Sequence, residues 1–252
     1  MRTKILCIIC LLLSSCEEEG VLLPSPDIKE NPKTEIPIID NKNIVEIHPI
    51  NFDEDTLTFL ALGDSYTIGS GVEASDRWPN QFAKSLGNRN IIVSKPQIIA
   101  MSGWTTANLL QRLANSNLDQ SYDMVSLLIG VNNQYQGVLF STFKKEFIEL
   151  LNFSMGKAKS RSSVFVLSIP DYGVTPFGGG QEYITEEINM YNQWIYDVCA
   201  ANKIKFYNIT ELSRLAENDL SLLAADQLHP SNSMYGSWVE TIIKDLPKVL
   251  IQ

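Results

Sequence analysis

From residue 56 onward the chain alternates between short, nearly continuous apolar runs and longer segments with helical spacing. Leu57 to Leu62 is almost wholly apolar and ends at Gly63. Met124 to Ile129 ends at Gly130, and Val164 to Ile169 ends at Pro170. Ile91 to Ala100 contains a further β-rich stretch, and Lys205 to Ile209 a shorter one. Runs of this length without polar alternation suit parallel strands covered on both faces. Between them lie helical stripes. Leu109, Leu110, Leu113 and Ala114 share one face, and Phe143, Phe147, Leu150 and Leu151 another. Ile184, Ile188, Tyr191, Ile195, Val198 and Cys199 form a long stripe; Trp238, Ile242 and Leu246 form the last, which Pro247 is expected to stop. Trp78-Pro79 reads as a helix start, with Pro79 at its first position. Strand–helix alternation predicts an open α/β sheet with right-handed crossovers, in one folded domain over 51–252 and without an internal repeat.

The segment before that domain has no sustained period. Pro24, Pro26, Pro32, Pro37 and Pro49 punctuate residues 16–50, a density that blocks helices and central strands. This stretch is expected to be an extended tether. Residues 1–15 form a separate object: Arg2 and Lys4 make a basic start, and Ile5 to Leu13 an apolar run too short to span a bilayer. Leu13-Ser14-Ser15-Cys16 then resembles a bacterial lipobox, in which the cysteine is acylated and the peptide before it removed. That resemblance implies a protein of the bacterial cell envelope, anchored through Cys16 to a membrane, with the outer membrane expected and either face of it open. Glu17-Glu18-Glu19 reads equally as a solvated charge run or as an acidic export signal of surface lipoproteins.

Composition narrows the function classes. Apolar residues at 44% and charged residues at 19% suit a globular domain with a real core. The formal charge is −9, and removal of Arg2 and Lys4 leaves 18 basic against 29 acidic side chains, or −11. Neither value fits a nucleic-acid partner, whose phosphates require clustered Lys and Arg. Of four cysteines, Cys7 and Cys10 would leave with the signal and Cys16 would carry lipid. Cys199 then stands alone, so no intrachain disulfide is expected. Two histidines and one core cysteine cannot build a zinc site of the usual kind, and neither metal nor cofactor is expected. A flavodoxin-like nucleotide binder is disfavoured, because no glycine-rich phosphate loop with lysine is present.

The polar, glycine-bearing segments fall at strand ends, where open α/β sheets place their sites. They are Gly63-Asp64-Ser65-Tyr66-Thr67-Ile68-Gly69, Ser102-Gly103-Trp104-Thr105 and Gly130-Val131-Asn132-Asn133; Asp226-Gln227-Leu228-His229-Pro230 stands near the C-terminus. A serine hydroxyl needs an adjacent base to act as a nucleophile at neutral pH, and histidine is the usual one. His48 lies in the expected tether, which leaves His229. Asp226, three residues earlier, can orient the imidazole and stabilise its protonated form. Ser65 and His229 with Asp226 are therefore the candidate catalytic group. Asp64 reads as a hydrogen-bond acceptor for the turn. The Asp171–Gln181 loop, with Tyr172, Phe177 and three consecutive glycines, either lines the substrate site or is a mobile surface connection.

These four segments, in this order, resemble the four motif blocks of the SGNH (GDSL-type) hydrolase family, over about residues 56–250. The resemblance implies a flavodoxin-like three-layer α/β/α fold with a mostly parallel five-stranded sheet. It also implies an oxyanion hole from the Ser65 amide, the Gly103 amide and the Asn132 side chain. The family's third block usually reads Gly-x-Asn-Asp, and Asn133 replaces its last residue here. Three functions follow as expectations: a serine esterase removing short acyl groups, acetyl foremost, from carbohydrate; a lysophospholipase or other lipolytic esterase of the same fold; or a surface lipoprotein that binds glycan without catalysis.

Overall fold

The computed structural model describes residues 36–39, 56–118 and 121–250, with the side chains of 246–250 left aside. Cys16, Glu17 to Glu19 and His48 lie outside the described residues, as does most of the expected tether.

Five strands form one sheet: β1 (Phe59–Gly63), β2 (Gln97–Ala100), β3 (Met124–Leu128), β4 (Val164–Leu167) and β5 (Lys205–Tyr207). Their order is β2-β1-β3-β4-β5, and every neighbouring pair is parallel. This is the flavodoxin-like arrangement, with the order switching between β1 and β3. Every residue of β1, β3 and β4 is buried, whereas the outer strands β2 and β5 are only partly so. That gradient explains why the central strands are continuous apolar runs and the edges are not. Within Ile91–Ala100 only the last four residues pair as β2. Pro96 immediately before them has no N–H to give to a ladder.

Helices cover both faces. On one, α2 (Trp78–Gly87) packs against α8 (Asn232–Leu250). Phe59, Trp78, Phe82 and Phe165 interlock there, with ring centroids 5.5–6.5 Å apart. On the other, α3 (Thr106–Ala114) packs on α5 (Phe140–Lys157). Phe143 and Phe147 of α5 meet Trp194 of α6 (Glu182–Ala201), each at 5.8 Å. Cys199 is wholly buried in α6 and burial pushes its thiol up to about 12, so it is packing, not a reactive group. The last helix differs from expectation: it runs past Pro247 to Leu250. The missing proline N–H removes one intrahelical bond in the final turns, which leaves the rest of the helix intact.

The four described residues of the expected tether are part of the domain. Ile39 is buried; its N–H donates to Asn202 Oδ1 at 2.7 Å and its carbonyl accepts from Arg161 at 3.1 Å. The Asn202 amide also donates to the Pro37 carbonyl at 3.0 Å. Contact with the domain therefore begins well before residue 51, the boundary expected from proline density. Arg161 and Asn202 precede β4 and β5, so this staple sits at the amino ends of the strands. The polar segments noted above lie at the opposite, carboxyl ends.

Candidate active site

The site is built where β1 turns into α1 (Ser65–Ile68). Asp64 caps that helix, its Oδ1 accepting the Tyr66 N–H at 3.0 Å. Asp64 is fully buried, and burial pushes its carboxyl up to about 7 against the lowering effect of the backbone N–H groups it accepts. It faces the turn, in line with a supporting role. Gly63 has no room for a side chain: a Cβ would stand 2.3 Å from Thr67 Oγ1 and 2.4 Å from the Leu128 carbonyl oxygen. The close approach of the β1 end to α1 and β3 puts Ser65 in the first position of α1, 5% exposed.

Ser65 and His229 line one cleft of about 160 Å³, together with Gly103 and Asn132. Four sequence segments scattered over 165 positions thus converge on one volume. His229 Nδ1 lies 2.7 Å from Asp226 Oδ2. The other Asp226 oxygen accepts the N–H groups of Leu228 and His229, each at 3.0 Å. Burial tends to raise the Asp226 carboxyl, but the hydrogen bonds from the His229 ring and from these two amides outweigh it and hold the carboxyl below its ordinary value. The carboxylate therefore stays ionised beside the imidazole. The turn itself is fixed by Ala224 N–H donating to the His229 carbonyl at 2.7 Å, and by Gln227 in a left-handed conformation at φ 57°. With Nδ1 engaged, Nε2 is the nitrogen available to the cleft. The Tyr66 ring packs edge-on against the imidazole at 5.4 Å between centroids.

Three donors remain unspent around this volume. Among the described residues, the N–H groups of Ser65 and Gly103 have no protein acceptor. Asn132, on α4 (Val131–Tyr135), uses one Nδ2 hydrogen on the Trp104 carbonyl at 3.0 Å and keeps the other. Gln136, at the end of the same helix, donates to the Gly103 carbonyl at 3.0 Å, so α4 holds the turn carrying Gly103 at two points. Gly103 itself has φ 82°, a left-handed backbone that disfavours any side chain even where space exists. Such an arrangement can activate a hydroxyl and receive a developing negative charge on oxygen.

Asn133 does not face the cleft. It is fully buried; its Oδ1 accepts the Thr106 N–H at 3.0 Å and its Nδ2 donates to Thr106 Oγ1 at 2.6 Å. The Thr106 hydroxyl proton goes on to Glu146. The departure from the usual aspartate thus has a local reason: a chain of donors runs Asn133 to Thr106 to Glu146, and a carboxylate could not start it. The Asp171–Gln181 loop lines the cleft through Tyr172 and Phe177. It is pinned by Asp171, which is buried and accepts from Gly173 N–H and from Arg214 Nε, both at 2.9 Å. The sequence reading missed Tyr66, Val131, Tyr135 and Leu228 as cleft residues. Tyr135 stands three residues after Asn132 on one helix, a spacing that would have put it on the same face.

The family model of the GDSL-like lipase/acylhydrolase family matches residues 61–236. The chain belongs to this family. It is 25% identical over 224 residues to a multidomain esterase of Ruminococcus flavefaciens, an alignment covering 74% of this chain and 28% of that protein. The chain therefore spans little more than a quarter of the length of the curated relative it matches. Among solved structures, the psychrotrophic esterase EstA of a Pseudoalteromonas species superposes with a TM-score of 0.61 at 16% identity, covering 77% of this chain and 99% of that one. The acetylxylan esterase Axe2 of Geobacillus stearothermophilus gives 0.57 at 16% identity, covering 79% and 96%. TesA gives 0.59 at 19% identity, covering 76% and 99%. At these identities the structural likeness establishes the fold.

The Asn133 network predicts a specific cost for restoring the family's aspartate. Asn133→Asp should lower unfolding stability by about 1–3 kcal/mol, because the buried Thr106 oxygen loses its donor and a second carboxylate approaches Glu146. Denaturant unfolding measures this. A variant as stable as the parent contradicts the donor chain.

Proposed function

We propose that the protein is a serine esterase that removes short acyl groups, acetyl foremost, from carbohydrate. Ser65 Oγ attacks the ester carbonyl carbon while His229 Nε2 takes its proton, and Asp226 stabilises the imidazolium. The Ser65 and Gly103 amides and the free Asn132 hydrogen receive the charge on the carbonyl oxygen. His229 returns the proton to the leaving alcohol as the carbon–oxygen bond breaks. Water, deprotonated by the same histidine, then splits the acyl-enzyme to free the acid and Ser65.

The observation that carries the substrate reading is the size of the cleft. At about 160 Å³ it is well below the roughly 300 Å³ at which pockets for drug-sized ligands begin. Val131, Leu228 and the rings of Tyr135, Tyr172 and Phe177 close around it, which favours a small acyl group over a long chain. Tyr135 and Phe177 are half exposed and touch each other at 5.9 Å between centroids. They offer flat apolar faces at the mouth, suited to the carbon face of a sugar. The names of two similar proteins, a multidomain esterase and an acetylxylan esterase, agree with this reading.

The test is a series of p-nitrophenyl esters from acetyl to longer chains, run beside acetylated xylan and related glycans. The expected result is highest kcat/KM on the shortest esters and acetate release from at least one glycan. Ser65→Ala should lower turnover by on the order of 10⁴–10⁶ while remaining folded. Preference for acyl chains of octanoyl length or more, with no acetate from any glycan, would move the assignment to a lysophospholipase-type activity.

The same proposal includes anchorage through Cys16, supported by the lipobox-like run that precedes it. Metabolic labelling with a fatty-acid probe should mark the parent and leave Cys16→Ser unmarked. Label retained in the variant overturns the anchor.

A further inference from the structure

A second cavity, of about 510 Å³, lies beside the edge strand β5, on the side where α6 covers it. Its walls carry Tyr196, Asn189 and Gln193 from α6, Phe206 from β5, and Asn208 and Glu211 from the segment that follows β5. Tyr196 is 52% exposed, yet its ring is not loose: the Phe206 ring meets it edge-on at 5.7 Å between centroids. Around this aromatic face the polar groups are half used. Asn189 Oδ1 accepts from Arg214, which leaves its amide hydrogens. Asn208 Oδ1 accepts the Thr210 N–H at 3.0 Å and the Ser168 hydroxyl at 3.3 Å, which also leaves its amide hydrogens. Gln193 donates to Asp197 at 2.9 Å and keeps its carbonyl oxygen. Glu211 accepts from Arg214 Nη1 through Oε1 and keeps Oε2.

The result is a set of two amide donors and two oxygen acceptors around a propped tyrosine face. Each bond already made inside the protein holds a polar group in place for one still to be made. That pattern matches a pyranose, which presents an apolar carbon face ringed by hydroxyls that both donate and accept. Glu211 and the acidic chain disfavour a polyanionic sugar, so the ligand class is a neutral glycan.

Position supports the assignment. Asn208 and Glu211 follow β5 at its carboxyl end, the same edge of the sheet at which Ser65 follows β1. Three strand steps separate β1 from β5 in the sheet, a lateral offset of about 14 Å at the usual spacing, and from there the groove runs along α6 to Tyr196. The two sites are also joined mechanically. Arg214 donates through Nε to Asp171, which anchors the loop carrying Tyr172 and Phe177, and through its other nitrogens to Asn189 and Glu211.

We propose that this groove is a secondary subsite for a neutral glycan chain, holding the polymer while its acylated unit enters the Ser65 cleft. The proposal rests on the carbohydrate esterase reading above, and its test separates the two. Acetate release from acetylated xylan is measured for the full chain and for Tyr196→Ala, beside p-nitrophenyl acetate as a substrate too small to reach the groove. Tyr196→Ala should raise KM for the polymer about tenfold, leave kcat and p-nitrophenyl acetate turnover unchanged, and Tyr196→Phe should keep most of the parental KM. A polymer KM unchanged in Tyr196→Ala, with the parent releasing acetate normally, overturns the groove and leaves the esterase reading standing. If the parent releases no acetate from any glycan, titration calorimetry with xylohexaose decides the groove alone. Heat of binding that disappears in Tyr196→Ala supports it, and absence of binding to the parent overturns it.

Discussion

The site depends on one steric constraint, the contact at Gly63. The end of β1 lies so close to α1 and to the Leu128 carbonyl that a single Cβ would collide with both. Because the chain can pass there only as glycine, β1 turns at once into a four-residue helix and delivers Ser65 at the carboxyl edge of the sheet. The buried Asp64 then caps this helix. Its raised pKa, about 7, reflects a carboxyl kept away from solvent to shape the turn. Without that turn the remaining groups would have no common point to face.

Everything else at the site is support for side chains that carry few contacts of their own. Asp226 spends one oxygen on the His229 ring and the other on two backbone amides, so the same carboxylate folds the loop and aims the imidazole. Asn132 divides its amide hydrogens between the Trp104 carbonyl and the cleft. Gln134, two residues on, donates to Glu187 and accepts from the Tyr172 hydroxyl, each at 2.7 Å, and so sets the aromatic wall. Groups held in this way need little reorganisation when charge develops on a substrate oxygen, and preorganisation of this kind is a large part of enzymatic rate enhancement.

The sheet and the site were legible in the sequence to different depths. Fully buried parallel strands leave continuous apolar runs, so β1, β3 and β4 could be read directly, and the motif residues at their ends with them. The edges were less legible: in the Ile91–Ala100 stretch Val93 makes an isolated bridge to Leu57 and the continuous ladder begins only at Gln97, since apolar character alone does not say where Pro96 interrupts it. Pro37 and Ile39 looked like tether because proline density reports local stiffness and says nothing of a distant Asn202 that accepts and donates to the backbone. The reason for Asn133 was likewise invisible, for it depends on Thr106 and Glu146 meeting it in space. Tyr66 and Leu228 lie inside the motif segments, but nothing in the sequence showed that their own side chains would line the cleft.

The central claim is that Ser65 is the nucleophile of an acyl-enzyme. The most direct measurement is covalent trapping with an organophosphonate inhibitor, followed by peptide mass spectrometry. The account predicts one equivalent of adduct, carried by the peptide containing Ser65, with loss of esterase activity in step with labelling. Full inactivation with the adduct on any other residue, or persistent activity after stoichiometric labelling of Ser65, would contradict it.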